Sequence, residues 1–475
     1  MPPAFLLIGI LAYFALLLVL ARCVAHGSGA EGFYVGGRES PWPVVAFGMV
    51  GTSLSGVTFI SVPGAVAVSG FTYLQIALGQ VAGYAVIALL LLPAYHRLKL
   101  ASIYGLLGER LGPAAQRLGS AYFVLSRTLG ATARLYLVVA VLHALILQPL
   151  GVPFAMGAAV VLAMILLYTV EGGVKALVWT DTLQTAGMLT GLVVCTVMLW
   201  RPDALAQLDA AGLSRVWVGD PLSRDFSAKA LLAGMFIAIA MTGLDQEMMQ
   251  KSLSVARLRD AQKNLLVLAV LMLVVVAAFL LLGGLLTLFA REHGLDVRGD
   301  ALFPTVVMQH LPAWVQVVFV LALVSALLPS ADGALTALTA STCLDLLRIP
   351  RADTRTRRRV HLGFALLFLA LVLGFKALDS ASMIFLILKL AGYTYGPLLG
   401  LFAFALFTPR AVSARALVAV CVAAPLLCAA LDFGQPWGGY QIGLELLLLN
   451  GLLTWAGLRL AVRWEKMPAK EGQRA

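Results

Sequence analysis

Charge is what this sequence has least of. Only 12% of its 475 residues are Asp, Glu, Lys or Arg, against 61% hydrophobic, and the mean hydropathy is +0.94. Soluble domains carry roughly 25% charged residues, so the composition excludes a water-exposed globule and leaves an all-α polytopic membrane protein. Cysteine is scarce too. Cys23, Cys195, Cys343, Cys421 and Cys428 fall in or beside apolar segments without metal-ligand spacing, and read as small core residues. The chain has no Walker loop, no HExxH and no GxGxxG after a strand. The net charge of +11 could suggest nucleic acid. Position decides against it: most Lys and Arg sit in short loops on alternate sides of the apolar segments, which is a topology signal.

What the chain does have is a long series of apolar runs, near residues 4–22, 43–62, 72–96, 118–147, 153–170, 178–200, 229–250, 262–290, 313–347, 360–378, 381–408, 413–431 and 438–462. They predict about thirteen transmembrane helices in one transporter-like domain over 1–475. The first run lacks a basic n-region and a clear cleavage site, so it reads as a span rather than a signal peptide. Arg97, Lys99, Arg110 and Arg117 follow the third run; Lys251, Arg257, Arg259 and Lys263 the seventh; Arg348, Arg351, Arg355, Arg357, Arg358 and Arg359 the ninth; Arg459, Arg463, Lys466, Lys470 and Arg474 the last. With thirteen spans these share one side, which the positive-inside rule makes cytoplasmic. The expectation is a multi-pass protein of the cell (inner) membrane, N-terminus outside and C-terminus inside, working as a monomer in the lipid bilayer.

Two runs are interrupted in corresponding ways. The second is broken by Gly51-Thr52-Ser53-Leu54-Ser55-Gly56, the seventh by Met241-Thr242-Gly243-Leu244-Asp245. Irregular polar backbone survives in hydrocarbon only where it lines a cavity. Five helices separate the breaks, and an odd number per repeat forces opposite orientation of the two units, the pattern of an inverted 5+5 repeat with its ligand sites at the breaks. This places an extra N-terminal helix at 4–22, the repeat core at 43–408, two further helices at 413–462 and a cytoplasmic tail at 463–475.

Ionisable groups inside spans mark function by default. Asp181, at the start of the sixth run, reads either as a helix-end carboxylate or as a cation ligand facing the bundle. In the ninth, Ser325, Pro329, Asp332, Thr336 and Thr339 form one helical stripe, with Ala326, Ser330 and Gly333 beside it. Pro329 lacks an N–H, so the Ser325 carbonyl loses its partner. Carbonyl, hydroxyl and carboxylate oxygens together suit a hard cation; a kinked helix with its polar groups satisfied by neighbours is the plainer reading. Arg127 and Arg134, seven apart on the fourth run, could hold an anionic substrate or pair with internal acids. Lys389, near Tyr393 and Tyr395, is equally ambiguous. Tyr73 and Gln75 open the third run and could bond a polar ligand. Asp245-Gln246-Glu247 reads as the cytoplasmic end of the seventh helix.

At these residues the chain resembles the sodium:solute symporter family. The resemblance is carried by Ser55-Gly56 through Pro63-Gly64, by Gly172-Gly173 through Trp179-Thr180-Asp181, by Asp245-Gln246 with Gln250-Lys251, and by the small-residue ninth helix ending in Asp345. It implies a LeuT-type core, alternating access driven by the sodium gradient, and a principal Na⁺ site of Gly51 and Leu54 (backbone), Ala326 (backbone) and Ser330 (hydroxyl). Where the family has a second hydroxyl this chain has Pro329; either the Ser325 carbonyl or Ser53 compensates, or sodium binds weakly. A second cation or proton site is implied at Asp181, with Asp332 and Ser325. Two carboxylates near one site do not both ionise without a cation between them.

The resulting expectation is Na⁺-coupled import of a small polar organic solute, favouring one bearing a carboxylate, such as a sialic or other sugar acid, an amino acid or a simple organic acid. Substrate contacts are expected from Ser55, Thr58, Tyr73, Gln75, Arg127 and Thr242. The alternatives are proton coupling through Asp181 and Asp332, and a sensor or channel on the same scaffold, which the short tail disfavours. No nucleophile–base or metal constellation points to an enzyme. Asp332→Ser is expected to change both the cation dependence and the pH profile of transport, measured in reconstituted vesicles.

Overall fold

The computed structural model describes residues 3–25, 29–223, 225–378, 383–408, 412–434, 443 and 445–465, and of 3, 30, 55–57, 138, 171, 378, 383–390, 433, 434 and 463–465 the backbone alone. The described residues form helices and loops without strands. Each apolar run has its helical counterpart. Eight helices are long and apolar enough to cross a membrane: α1 (Ala4–Ala25), α3 (Tyr73–Arg97), α4 (Pro113–Leu147), α6 (Gly172–Leu199), α8 (Leu258–Glu292), α9 (Ala313–Leu346), α10 (Thr354–Ala377) and α12 (Ala414–Asp432). Two more qualify only as bent pairs, α2 (Trp42–Leu54 with Thr58–Ser69, bent by 56°) and α7 (Ser227–Gly243 with Gln246–Leu253, bent by 67°). These are the two interruptions read from the sequence. Shorter apolar helices complete the set: α5 (Phe154–Val170), α11 (Ala391–Phe407) and α13 (Leu446–Val462).

The helix pairing follows an inverted repeat. α2 packs along α8, and α7 along α3. If α2 corresponds to α7 and α3 to α8, these are one contact seen twice. α9 against α5–α6 and α4 against α11 form a second such pair. Glycine makes the close approaches possible. A Cβ on Gly79 of α3 would lie 2.1 Å from the Leu231 carbonyl oxygen of α7, and one on Gly234 of α7 would lie 2.1 Å from that of Ile76 in α3. Gly79 and Gly83 on one helix face Gly234 and Ala238 on the other, small residues four apart that let the two backbones touch. α5 and α6 divide at Gly173, whose φ of 52° belongs to the left-handed region and whose Cβ would meet Phe33 Cα at 2.4 Å.

Two loop faces result. On one, Ser40 N donates to Ser254 O, the Arg38 guanidinium to the carbonyls of Lys99 and Leu100, and Arg351 to Glu31. On the other, Phe71 N donates to Arg215 O, and Arg201 pairs with Glu292 at 2.7 Å. The basic loops after the third, seventh and ninth runs meet on the first face, but two of their residues turn inward. Lys251 is not a loop residue: it lies in the second half of α7 and is 1% exposed. Arg357 is buried over the Phe33 ring. The helices outside the repeat core are not all peripheral. α1 lays Tyr13 Oη 2.8 Å from Ser325 Oγ of α9, and Asn450 of α13 donates to the carbonyls of Gly392 and Tyr393. Lys389 and the tail beyond 465 lie outside the described residues and side chains.

Gly79→Leu or Gly234→Leu is expected to lower the thermal unfolding midpoint of the purified protein. Overpacking costs about 1–3 kcal/mol elsewhere and should reach the upper end where a side chain meets backbone. Gly363→Leu, where a Cβ meets open space, should leave the midpoint in place.

Candidate functional site

The site is built at the two breaks, and they are finished differently. At the α7 break the freed carbonyls are taken up by the protein: Tyr95 donates to Gly243 O at 2.9 Å and Tyr104 to Leu244 O at 3.0 Å. Asp245 Oδ1 then caps the new helix start, accepting from the amides of Glu247 and Met248. At the α2 bend Thr185 of α6 accepts from Gly51 N at 3.1 Å and donates to Gly48 O at 3.2 Å, engaging neither the Gly51 nor the Leu54 carbonyl. The bend follows Leu54 directly, so the two backbone ligands expected for sodium end the first half of α2. On α9, Ala326 and Ser330 are buried; the Ser330 hydroxyl donates to Leu327 O and keeps its lone pairs free for a cation. Ser325 is otherwise engaged, its hydroxyl donating to Leu321 O and lying against Tyr13.

The two expected carboxylates have unlike surroundings. Asp181, in the third turn of α6, faces a cation of the chain itself: Lys251 Nζ is 2.5 Å from Asp181 Oδ2 and 2.8 Å from Thr52 Oγ1. The Thr52 hydroxyl closes the triangle, 3.2 Å from the same carboxylate oxygen. Asp332 has neutral partners only: the Tyr168 hydroxyl at 2.7 Å, Gln184 Nε2 at 3.5 Å and its neighbour's amide, Gly333 N, at 2.6 Å. Thr336 and Thr339, on the same stripe, donate to backbone carbonyls one turn back, and Thr339 also reaches His361.

The substrate residues sort themselves by what they already hold. Arg127 holds two acids: Nε donates to Glu247 Oε2 at 2.6 Å, a second guanidinium nitrogen reaches the same oxygen, and Nη1 lies 3.6 Å from Asp245 Oδ2. Tyr395 donates to that Asp245 oxygen at 2.5 Å. Asp245, Gln246 and Glu247 are therefore fully buried at the break and not at a helix end in water. Arg127, expected to meet substrate, is compensated internally. Arg134, one face-repeat along α4, is half-buried and has no hydrogen bond or ion pair among the described residues; it lines a pocket with Ser126, Gly130, Met241 and Tyr395. Tyr73 lies beside it. Gln75 is fully buried with neither amide atom partnered. Thr242 is buried at the α7 break beside Tyr84, which also faces Ser53. Thr58 is half-buried, and the Ser55 side chain lies outside the described residues.

Sequence reasoning left several of these groups out. Tyr168, Gln184 and Tyr13 gave no local signal. Lys251 gave one: it stands four residues after Glu247, both on one face of the short helix that follows a break.

Comparison with known proteins bears on the same residues. A family model described as the sodium:solute symporter family matches residues 33–423. The chain is 26% identical over 402 residues to the sodium/iodide cotransporter of Homo sapiens, covering 80% of this chain and 61% of that protein, and so spans less than two thirds of its length. It is 25% identical over 448 residues to a sodium/sialic acid symporter of Aliivibrio fischeri, covering 87% and 86%. A solved structure of a Na⁺-coupled sialic acid symporter in a substrate-bound outward-open state superposes with a TM-score of 0.84 at 17% identity, covering 98% of this chain and 99% of that one.

Removing one member of a buried ion pair strands the other and costs about 3–5 kcal/mol, whereas replacing both by apolar groups is often neutral. Arg127→Met, which strands both Asp245 and Glu247, is accordingly expected to lower the unfolding midpoint sharply, and Arg127→Met with Glu247→Met and Asp245→Asn to recover part of the loss, measured by thermal unfolding in detergent.

Proposed function

Because the chain belongs to the sodium:solute symporter family, we propose that it imports a small carboxylate-bearing solute together with Na⁺ by alternating access between its two loop faces. The unpaired Arg134 guanidinium carries the substrate class. A half-buried cation with no acid in ion-pair contact among the described residues favours an anion, and its planar fork matches a carboxylate in bidentate geometry. Arg127, seven residues earlier, has its anions already and serves to hold the α7 break in place. The neutral donors and acceptors for the rest of a polar solute are assigned to Tyr73, Gln75, Thr242, Thr58 and Ser55. A buried Gln with four unmet hydrogen-bonding positions fits a hydroxylated or amide-bearing ligand.

Sodium is a co-transported substrate here. Its principal site would use the carbonyls of Gly51, Leu54 and Ala326 and the hydroxyl of Ser330, an all-oxygen set of the kind hard cations take. Pro329 removes one side-chain ligand. The Ser325 carbonyl or the Ser53 hydroxyl would take its place. The sialic acid symporters among the relatives support the acidic-solute reading, and the iodide cotransporter shows only that the scaffold also serves another anion. In orientation, the face joining Arg38, the 97–117 loop and the 348–359 cluster is cytoplasmic by the positive-inside rule, which puts the N-terminus outside. Nothing in this scheme calls for covalent catalysis, and we read the chain as a carrier and not an enzyme.

A thermal-shift screen of the purified chain with sialic acid, simple monocarboxylates and neutral sugars, each with and without Na⁺ at two pH values, tests the proposal, since a ligand of the native state stabilises it by mass action. The expected outcome is stabilisation by a carboxylate that needs Na⁺. Arg134→Met should weaken that ligand about 10- to 100-fold, the worth of a hydrogen bond to a charged group. A response confined to neutral sugars would overturn the substrate class. A response that follows pH and ignores Na⁺ would hand coupling to protons.

A further inference from the structure

The family resemblance implies a second mobile cation at Asp181. In this chain that carboxylate has a resident cation. Lys251 Nζ lies 2.5 Å from Asp181 Oδ2 and 2.8 Å from Thr52 Oγ1, and both members of the pair are 1% exposed. The ammonium takes one carboxylate oxygen and one hydroxyl, two oxygens that a sodium ion at Asp181 would also draw on, and leaves Asp181 Oδ1 without a partner among the described residues. It is held there by its helix. Gln246, one turn earlier on the same half of α7, accepts from Ile103 N and donates to Ala101 O, so the element bearing Lys251 is fastened to a loop. No second compensating charge is needed at Asp181, and a sodium ion added there would face an unscreened ammonium at contact distance.

Elsewhere in the interior the pairing is different. Arg127 is taken by Glu247 and Asp245. Asp332 has only the hydroxyl of Tyr168, the amide of Gln184 and the backbone of Gly333. Among the described residues Asp181 therefore has a cation in direct contact, while Asp332 is bonded to neutral groups only.

We propose that the Lys251 ammonium is a tethered cation occupying the second cation position, so that Lys251 sets the coupling stoichiometry and the chain binds a single sodium ion per cycle. The proposal rests on the sodium reading above. It also gives Lys251 a mechanical part. The ammonium joins the second half of α7 to Thr52, on the first half of α2 just before its bend, and to α6, so the two broken helices are linked through one charge that never leaves.

Equilibrium binding of radioactive ²²Na⁺ to the purified full-length chain decides it. The wild-type chain is expected to bind one sodium, with a Hill slope near one, the ceiling for a single site. Lys251→Met vacates the position and is expected to bind two, with a steeper curve. Asp181→Asn with Lys251→Met, which removes both charges, should return to one. Two sodium ions on the wild-type chain would overturn the proposal, as would one on a folded Lys251→Met variant. If Lys251→Met does not fold, the wild-type count and the neutral double variant still decide: two ions on either sink the idea. Absence of any sodium binding to the wild-type chain would overturn the sodium reading itself, a separate failure from a wrong count.

Discussion

A peptide group inside a bilayer must find its hydrogen bond within the protein, because no water is there to supply one. Every feature of this interior answers to that demand. Two helices are interrupted at the same place in each repeat, and an interruption frees carbonyls and amides that need partners. At α7 the chain provides them from its own tyrosines and from Asp245. At α2 Thr185 of α6 braces the backbone before the bend, accepting from Gly51 N and donating to Gly48 O. The repeats are related in path and unequal in chemistry: one break is capped by a carboxylate of its own helix, the other is braced by a threonine of α6.

Charge is distributed by the same logic. A buried ion is tolerable only when paired and hydrogen-bonded. Lys251 with Asp181, and Arg127 with Asp245 and Glu247, meet that condition within the chain. Arg134 and Asp332 do not, one facing a pocket and the other surrounded by neutral donors. The two unmet charges have opposite sign. A carboxylate solute and a sodium ion are the complementary pair, and bound together they leave the interior with less unmet charge than either alone. Mutual dependence of the two ligands, which is what coupling means, follows from electrostatics before any movement is considered.

Architecture was readable from composition and periodicity because it depends on quantities that a sequence displays: the length of apolar runs, the spacing of basic loops, and glycines where no lipid-facing helix has a use for them. The breaks at 51–56 and 241–245 were legible for that reason, and the bends fall at 54–58 and 243–246. Pairing was not. Arg127 and Arg134 sit on one helix face with the same chemistry, and only the presence of Glu247, 120 residues later, separates them. Lys251 looked like a loop residue because a lysine after an apolar run normally is one. Its burial depends on a half-helix being turned inward by 67°, an angle no local pattern encodes. Tyr168, Gln184 and Tyr13 come from three further segments, and nothing in their own neighbourhoods announces that Asp332 or Ser325 is across the way.

The glycine contact between α3 and the first half of α7 bears on how such a protein can change shape. Where Gly79 meets Leu231 and Gly234 meets Ile76, main chain rests on main chain with no layer of side chains between. Sliding or tilting of one helix over another needs rotamers that can repack, and this seam has none to offer. The two elements therefore travel as one piece, a strut rather than a bearing. Turning is left to the short stretch between Gly243 and Gln246, where the backbone already departs from the helix and where Tyr95 and Tyr104 hold the loose ends. Those two hydroxyls are the natural detents of the hinge: any swing of the second half of α7 must let go of them or carry them along.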